Sequence, residues 1–297
     1  MNYKRIFKSQ KFRFFILRSL SWFSPSFMLK CQYWVKLNRS LNLKNPERFS
    51  EKVQRYKINY KNQTMCQCVD KYLVRDFIKS RGCEQYLNDL YGVYEKAEEI
   101  NFAFLPDKFV IKTTNGSGGE NILICKEKAM LDVPAAIKTV NSWKSKCVST
   151  LSHEWAYIGA KTSRIIIEKY LEEKNSKNDS VHDYKFFCFD GKVKFLVVDV
   201  DRYIGHKRNF YTVDWELLDI ITDCPKVDRV IPCPDNYDEM VKLAEILSFG
   251  FPFVRVDLYN VEKKVIFGEM TFYPWSGYIQ FYPDAFDIEL GSHFKIA

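Results

Sequence analysis

The chain reads as an α+β fold, and three observations lead there. Its first third carries apolar residues at helical spacing. From Phe109 onward, short apolar strands come in neighbouring pairs joined by tight polar turns. Two further helical stretches, 132–146 and 235–247, stand apart from those pairs. Strands joined directly by turns, with the helices gathered elsewhere, define that class.

Each element has a local reason. Ser50 is placed to cap a helix with Val53 and Tyr56 on one face. Asp70 to Arg81 has Leu73, Phe77 and Ile78 at helical spacing, with Gly82 as its stop. Phe109 to Lys112 is a short strand feeding a glycine loop, and Asn121 to Cys125 is the strand that leaves it. Asp132 to Lys146 is helical. Ile165 to Tyr170 is a strand. Tyr184 to Asp190 and Lys192 to Val200 form a hairpin whose turn is Asp190-Gly191, a pair suited to the left-handed turn conformation. Asp235 caps a helix through Leu247, and a second hairpin spans 253–271. There is no repeat, low-complexity tract or long Gly/Ser/Pro linker.

Composition limits the class of protein. Hydrophobic residues make up 46% and aromatics 16% of the 297 residues, enough for a substantial core. No apolar run reaches the ~20 residues that span a bilayer, and Phe12 to Phe27 is broken by Arg13, Arg18 and serines and lacks a cleavage site. Nine cysteines without a paired framework predict free thiols in a reducing cytoplasm. Cys66-x-Cys68 has the wrong spacing for a zinc knuckle, and the histidines form no metal pattern. The net charge of +8 is uneven: residues 1–57 hold 14 Lys/Arg against two acids, and the remainder holds 31 against 35. The basic leader interleaves Ile6, Phe7, Phe12, Phe14 and Trp22 with Lys4, Arg5, Lys8, Lys11, Arg13 and Arg18. Three readings fit it: residues 1–30 at an anionic membrane surface, a docked helix with a solvated basic face, or nucleic-acid binding. The last is not expected, because no recognition motif accompanies the charge.

The 253–271 hairpin carries the sharpest chemistry. Alternation puts Arg255 and Asp257 on one face and Val254, Val256 and Leu258 on the other. With the turn over Asn260 to Lys264 centred on Lys263, Asp257 lies opposite Glu269 and Arg255 opposite Thr271. Opposed side chains sit roughly 5 Å apart at Cβ, so two carboxylates there repel unless a cation intervenes. A Mg²⁺ ion arriving with phosphates resolves the conflict; a solvent-facing hairpin in that register is the alternative. The loop Lys112-Thr-Thr-Asn115-Gly116-Ser117-Gly118-Gly119 suits a flap over phosphates, with Lys112 as a cation at its root. It fits neither a Walker A loop nor a dinucleotide fingerprint, and a tight hairpin turn would use the same glycines.

Taken together these segments resemble the ATP-grasp fold, in which a nucleotide lies between two α+β subdomains. More narrowly, they resemble the TupA-like group of bacterial surface-polysaccharide and teichuronopeptide gene clusters. The resemblance rests on Leu43-Lys-Asn-Pro-Glu-Arg-Phe-Ser-Glu-Lys52, Asp70-Lys-Tyr72 with Val74-Arg75, and Leu105-Pro-Asp-Lys-Phe-Val-Ile-Lys112. It continues through Ile167-Glu-Lys-Tyr-Leu171, Asp183-Tyr-Lys-Phe-Phe-Cys-Phe-Asp-Gly191, Val254-Arg-Val-Asp-Leu-Tyr259 and Gly268-Glu-Met-Thr271. It covers about 40–285 and omits the leader, which suggests a division into 1–40, a helical 41–105 and a nucleotide-binding 106–297.

The resemblance implies roles. Lys112 and Asn115 to Gly119 would hold the triphosphate of ATP. Glu168, Lys169, Tyr170 and Leu171 would form the hinge beside adenine, and Asp183 would face the nucleotide. Asp257 and Glu269 would hold Mg²⁺, with Thr271 where many ATP-grasp enzymes carry an asparagine. Lys185 would face the nucleotide beside Asp183, and Arg255 would face the phosphates or the substrate carboxylate, both as catalytic groups. Apart from the resemblance, Arg202, Lys207 and Arg208 form a cluster that suits either an acidic substrate, with Arg202 catalytic, or a solvated loop. The implied reaction is ATP-dependent carboxylate–amine ligation, joining an amino acid or amine to a uronic-acid carboxylate, in the cytoplasm or at the inner face of the membrane. Two rivals are a kinase of the same fold acting on a sugar hydroxyl, and a glycosyltransferase using Asp199-Val-Asp201.

Overall fold

The computed structural model describes residues 22–116, 121–143, 152–160, 163–173, 181–201 and 205–296. Two antiparallel sheets organise them. The smaller contains β1 (Leu90–Tyr94), β2 (Phe109–Thr113), β3 (Ile122–Cys125) and β4 (Ile165–Lys169) in the order β1-β4-β2-β3. The larger contains β5 (Asp183–Phe189), β6 (Lys192–Val200), β7 (Lys207–Thr212), β8 (Leu217–Leu218), β9 (Phe253–Val261) and β10 (Lys264–Thr271), in the order β10-β9-β5-β6-β7-β8.

Helices cover both sheets. Near the start lie α1 (Pro25–Leu37), α2 (Phe49–Asn59), α3 (Gln63–Val69) and α4 (Val74–Ser80); α5 (Val133–Trp143) buries Val140 against the small sheet. After the short α6 (Trp155–Gly159), α7 (Tyr237–Ser248) packs Met240, Leu243, Ala244 and Leu247 into the core formed with Phe186, Val254, Val256 and Leu258. That apolar set is one alternation of β5 and β9. The other alternation carries Asp183, Lys185, Arg255 and Asp257, and α2 lies at its end. Phe49 of α2 meets Phe253 at 5.0 Å between ring centroids, and Phe187, Phe189 and Phe294 at 6.1 Å each. The last helix, α8 (Ala285–His293), approaches α2 so closely that a Cβ on Gly291 would lie 1.9 Å from the Glu47 carbonyl.

Both predicted hairpins form. Asp190 and Gly191 make a two-residue turn with φ of 49° and 74°. The second hairpin turns at Glu262 and Lys263, both left-handed, and its strands run further into the turn region than the polar residues suggest. A two-residue turn there would by itself set Gly268 opposite Asp257. A bulge between Phe267 and Glu269 absorbs one residue, so Glu269 pairs with Asp257 and Thr271 with Arg255 as expected. A Cβ at Gly268 would come within 2.9 Å of the Asp257 carbonyl oxygen, so the bulge needs glycine.

Two predicted caps and one predicted helix start are corrected: Ser50 and Asp235 give their side chains to distant partners, whereas Asp70 binds the backbone just after it. Ser50 lies inside α2, and its hydroxyl donates to Asp287 at 2.6 Å; Glu51 instead accepts the backbone N–H groups of Glu47 and Arg48. Asp70 ends α3 and accepts from Tyr72 and Leu73 N–H at 2.9 and 2.8 Å, so the helix predicted over 70–81 begins only at Val74. Gly82, at φ 69°, stops it as expected. Asp235 pairs with Lys263 at 2.8 Å, and α7 starts after Asn236.

One strained turn follows β10. Trp275, Ser276 and Gly277 are all left-handed, with φ of 50°, 56° and 66°, a conformation costing non-glycine residues roughly 1–2 kcal/mol each. α2 holds it in place. Gln54 donates to the Ser276 and Gly277 carbonyls at 3.0 Å each, and the Lys57 ammonium donates to the Ser276 carbonyl and hydroxyl at 2.9 Å each. Burial, partly offset by Glu154 and reinforced by Lys36, pushes Lys57 down to about 7.

Two outcomes are expected. Phe49→Ala should cost ~3–5 kcal/mol in urea unfolding, the range for an aromatic removed from a packed core; a loss below 1 kcal/mol would contradict the packing described. For Lys57, folded and unfolded chains are both protonated below about pH 7. Between there and the ordinary lysine value the unfolded chain binds the extra proton, so stability rises with pH. The melting-temperature difference between wild type and Lys57→Met should be flat below neutrality and grow in favour of wild type up to about pH 9.

Candidate functional site

A cleft opens between the two sheets and the α3–α4 segment. The small sheet contributes Lys112 and Ile122, with Glu168 from β4 and Leu171 just beyond it. The large sheet contributes Asp183, Asp257, Glu269, Tyr259, Phe267 and Gly268. Antiparallel pairing of β2 with β4 sets Lys112 diagonally from Glu168, and its ammonium donates to Glu168 Oε2 at 2.8 Å.

On the large sheet, charged residues of three adjacent strands interlock. Arg255 donates in a bidentate pair to Asp257, at 2.6 Å for each bond, and also reaches Glu269 Oε1 at 3.3 Å and Thr271 Oγ1 at 3.2 Å. Lys185 donates to Asp257 at 2.8 Å and to Asp183. The repulsion foreseen between Asp257 and Glu269 is therefore met by the protein's own guanidinium. Burial works against both cations, yet Asp257 and Glu269 raise Arg255 above its ordinary value, and Asp183 with Asp257 does the same for Lys185. Thr271 accepts from Arg255 and donates to Glu269 at 3.2 Å, which makes its hydroxyl a brace for that carboxylate.

Other predicted positions fall away from the cleft lining. Asn115 accepts from Ser163 at 2.8 Å at the root of the glycine loop. Gly116 lines the cleft, while Ser117, Gly118, Gly119 and Arg202 lie outside the described residues. The exposed Lys169 pairs with Asp89 at 3.1 Å, and the Tyr170 ring lies 5.6 Å from the Lys126 ammonium. Lys207 pairs with Asp228 at 2.7 Å. Arg208 is buried against Asp199, at 2.6 and 3.1 Å, and lies 5.1 Å from the Trp275 ring. Asp201 goes to Arg229 at 3.1 Å. Asp199 and Asp201 thus both pair with arginines, and neither lines the cleft that Asp257 and Glu269 face.

Two cleft cations escaped the sequence reading. Lys71 donates its backbone N–H to the Thr114 carbonyl at 2.9 Å and its ammonium to the Gly116 carbonyl, so it holds the entry to the glycine loop. Burial, with Lys112 nearby, lowers its pKa despite Glu269. Arg75 lies 3.8 Å from Glu168 and donates to the Asn88 carbonyl at 3.0 Å. Both belong to the Asp70-to-Arg75 stretch that carries part of the resemblance, but they were read only as helix.

Solved structures with a similar fold include the D-alanine–D-alanine ligase of Bacillus anthracis, at 18% identity over 69% of this chain and 57% of that one, with a TM-score of 0.42. The Helicobacter pylori D-alanine–D-alanine ligase is 14% identical over 77% and 61%, with a TM-score of 0.42. An ADP complex of N5-carboxyaminoimidazole ribonucleotide synthetase is 12% identical over 70% and 46%, with a TM-score of 0.44. The matched part thus spans about half to three-fifths of those chains. None of the curated proteins matches the sequence. The TupA-like ATPgrasp family model matches residues 51–295, which takes in both sheets and every element that lines the cleft, and the chain belongs to that family.

Proposed function

We propose that this ATP-grasp protein is an ATP-dependent carboxylate–amine ligase acting on a uronic-acid carboxylate in bacterial surface-polysaccharide synthesis. The supporting observation is the charge lining one cleft: Lys112, Lys71 and Arg75 around Glu168, together with Asp183, Asp257 and Glu269 from the large sheet. Such a cleft suits a triphosphate held between cations and a divalent ion. The substrate half of the proposal rests on the family resemblance, and the location would be the cytoplasm.

The donor set fits magnesium. Among the described residues no group of three or more His, Cys, Asp or Glu side chains converges, but Mg²⁺ commonly takes one or two carboxylates and fills the rest with phosphate and water. Asp257 and Glu269 would hold it, and it would neutralise charge on the transferring phosphoryl group. Lys112, Lys71 and Arg75 would bind the phosphate oxygens, and Glu168 to Leu171 would flank adenine. Arg255 and Lys185 would steady the acceptor carboxylate. A carboxylate oxygen attacks the γ-phosphorus as the bond to ADP breaks. The amine nitrogen then attacks the acyl carbon, phosphate leaves with the carbonyl–oxygen bond pair, and the amine gives up a proton. Closure over the cleft would keep water from the acylphosphate.

ATP with Mg²⁺ should raise the melting temperature, as ligand at a hundred times Kd adds about 2.7 kcal/mol. Lys112→Met and Asp257→Asn/Glu269→Gln should lose that shift, measured against each variant's own ligand-free melt. ADP release should require both a uronic acid and an amine. Release without amine would favour the kinase, and a shift with nucleotide-sugars but none with ATP would overturn the proposal. Lys71→Met should weaken ATP roughly tenfold, about 1.4 kcal/mol, and leave AMP unchanged; equal loss for both nucleotides would place Lys71 away from the outer phosphates.

A further inference from the structure

A second surface lies on α1, on the side that faces away from the body of the protein. Met28, Leu29, Tyr33 and Leu37 are buried and fix the helix in place, and Gln32 accepts from the Tyr278 hydroxyl at 2.9 Å. The opposite stripe is open. Trp22 is 94% exposed, Phe23 51%, Phe27 45% and Trp34 60%, with the Phe23 and Phe27 rings tilted against each other at 5.0 Å between centroids. Phe27, Lys30 and Trp34 follow at helical spacing along that stripe, beside the exposed Val35. Large aromatics left in water on one fixed face mark a binding surface more often than chance exposure does.

Charge selects the occupant. No acidic residue occurs before Glu47, while residues 1–21 add Lys4, Arg5, Lys8, Lys11, Arg13 and Arg18, and α1 adds Lys30 on the open stripe; Lys36 turns inward over the Tyr278 ring. A second copy docked symmetrically on this stripe would bring like charges together with no carboxylate to offset them. An anionic bilayer supplies both demands: acyl chains for the aromatic rings, which favour the headgroup boundary, and negative headgroups for the lysines and arginines. Among the described residues no helix is long and apolar enough to cross a membrane, so the contact is one of lying on the surface.

We infer that this protein docks on anionic lipid bilayers through Phe27 and Trp34 of α1 and Phe23 just before it, with Lys30 and the basic residues that precede it in sequence supplying the attraction. The inference is independent of the ligase reading. The test is co-sedimentation of the full chain with vesicles of equal parts phosphatidylglycerol and phosphatidylcholine, against vesicles of phosphatidylcholine alone. Binding should appear with the anionic vesicles, weaken as salt is raised, and fall roughly tenfold or more in Phe27→Ser/Trp34→Ser. Those side chains are exposed, and an unchanged ligand-free melting temperature would verify the variant's fold. Equal binding to both vesicle types, no binding to either, or a double variant that binds like wild type would overturn the inference. So would sedimentation equilibrium showing a dimer that the double variant dissociates, since the stripe would then belong to a second copy.

Discussion

Asp257 and Glu269 can share one face of the large sheet because Arg255 reaches both of them, with Lys185 completing the neutralisation from the next strand. Burying a charge costs several kcal/mol unless a partner and hydrogen bonds return it, and removing one member of a buried pair typically costs 3–5 kcal/mol. Much else in the molecule follows from keeping this group together. The bulge at Gly268 delivers Glu269 to the right face, Thr271 braces it, and α7 seals the apolar alternation behind. The cleft thus carries its charges already oriented, which is the condition under which fixed dipoles and ions stabilise a reacting phosphoryl group.

Local rules made much of this legible. Alternation placed Arg255, Asp257, Glu269 and Thr271 on one face, and Asp190-Gly191 announced its turn. The pairing of Asp257 with Glu269 came out right from an assumed turn centre, whereas the structure reaches it by a shorter turn and a compensating bulge. What local rules could not see was competition from distant partners. Ser50 and Asp235 have the chemistry of caps, but Asp287 and Lys263 offer each a better bond. Lys71 meets the glycine loop across 45 residues of sequence, so no window of local pattern contains both. Arg255 was read as facing phosphate or substrate, and its first partners are the carboxylates beside it.

The strained turn adds a polar tie between the N-terminal helices and the end of β10. α2 holds its carbonyls through Gln54 and Lys57, α1 touches Tyr278 just after it, and Trp275 stacks on Phe187 at 5.7 Å with Arg255 at 6.0 Å. A left-handed run of this kind persists only where its surroundings over-determine it. Here four hydrogen bonds from one helix do so, and α2 is therefore built into the molecule rather than an appendage.

The interlocked face of the large sheet also limits how this protein can diverge. A lone replacement at Lys185, Arg255 or Asp257 strands a buried charge, so drift at one of these positions is viable only alongside a matching change at its neighbour. Lineages should carry the set whole or exchange it in matched pairs. A designer wishing to retarget the cleft has freer ground at its rim, where Arg75 and Lys112 are partly solvated, than on the floor, where every edit is at least a double one.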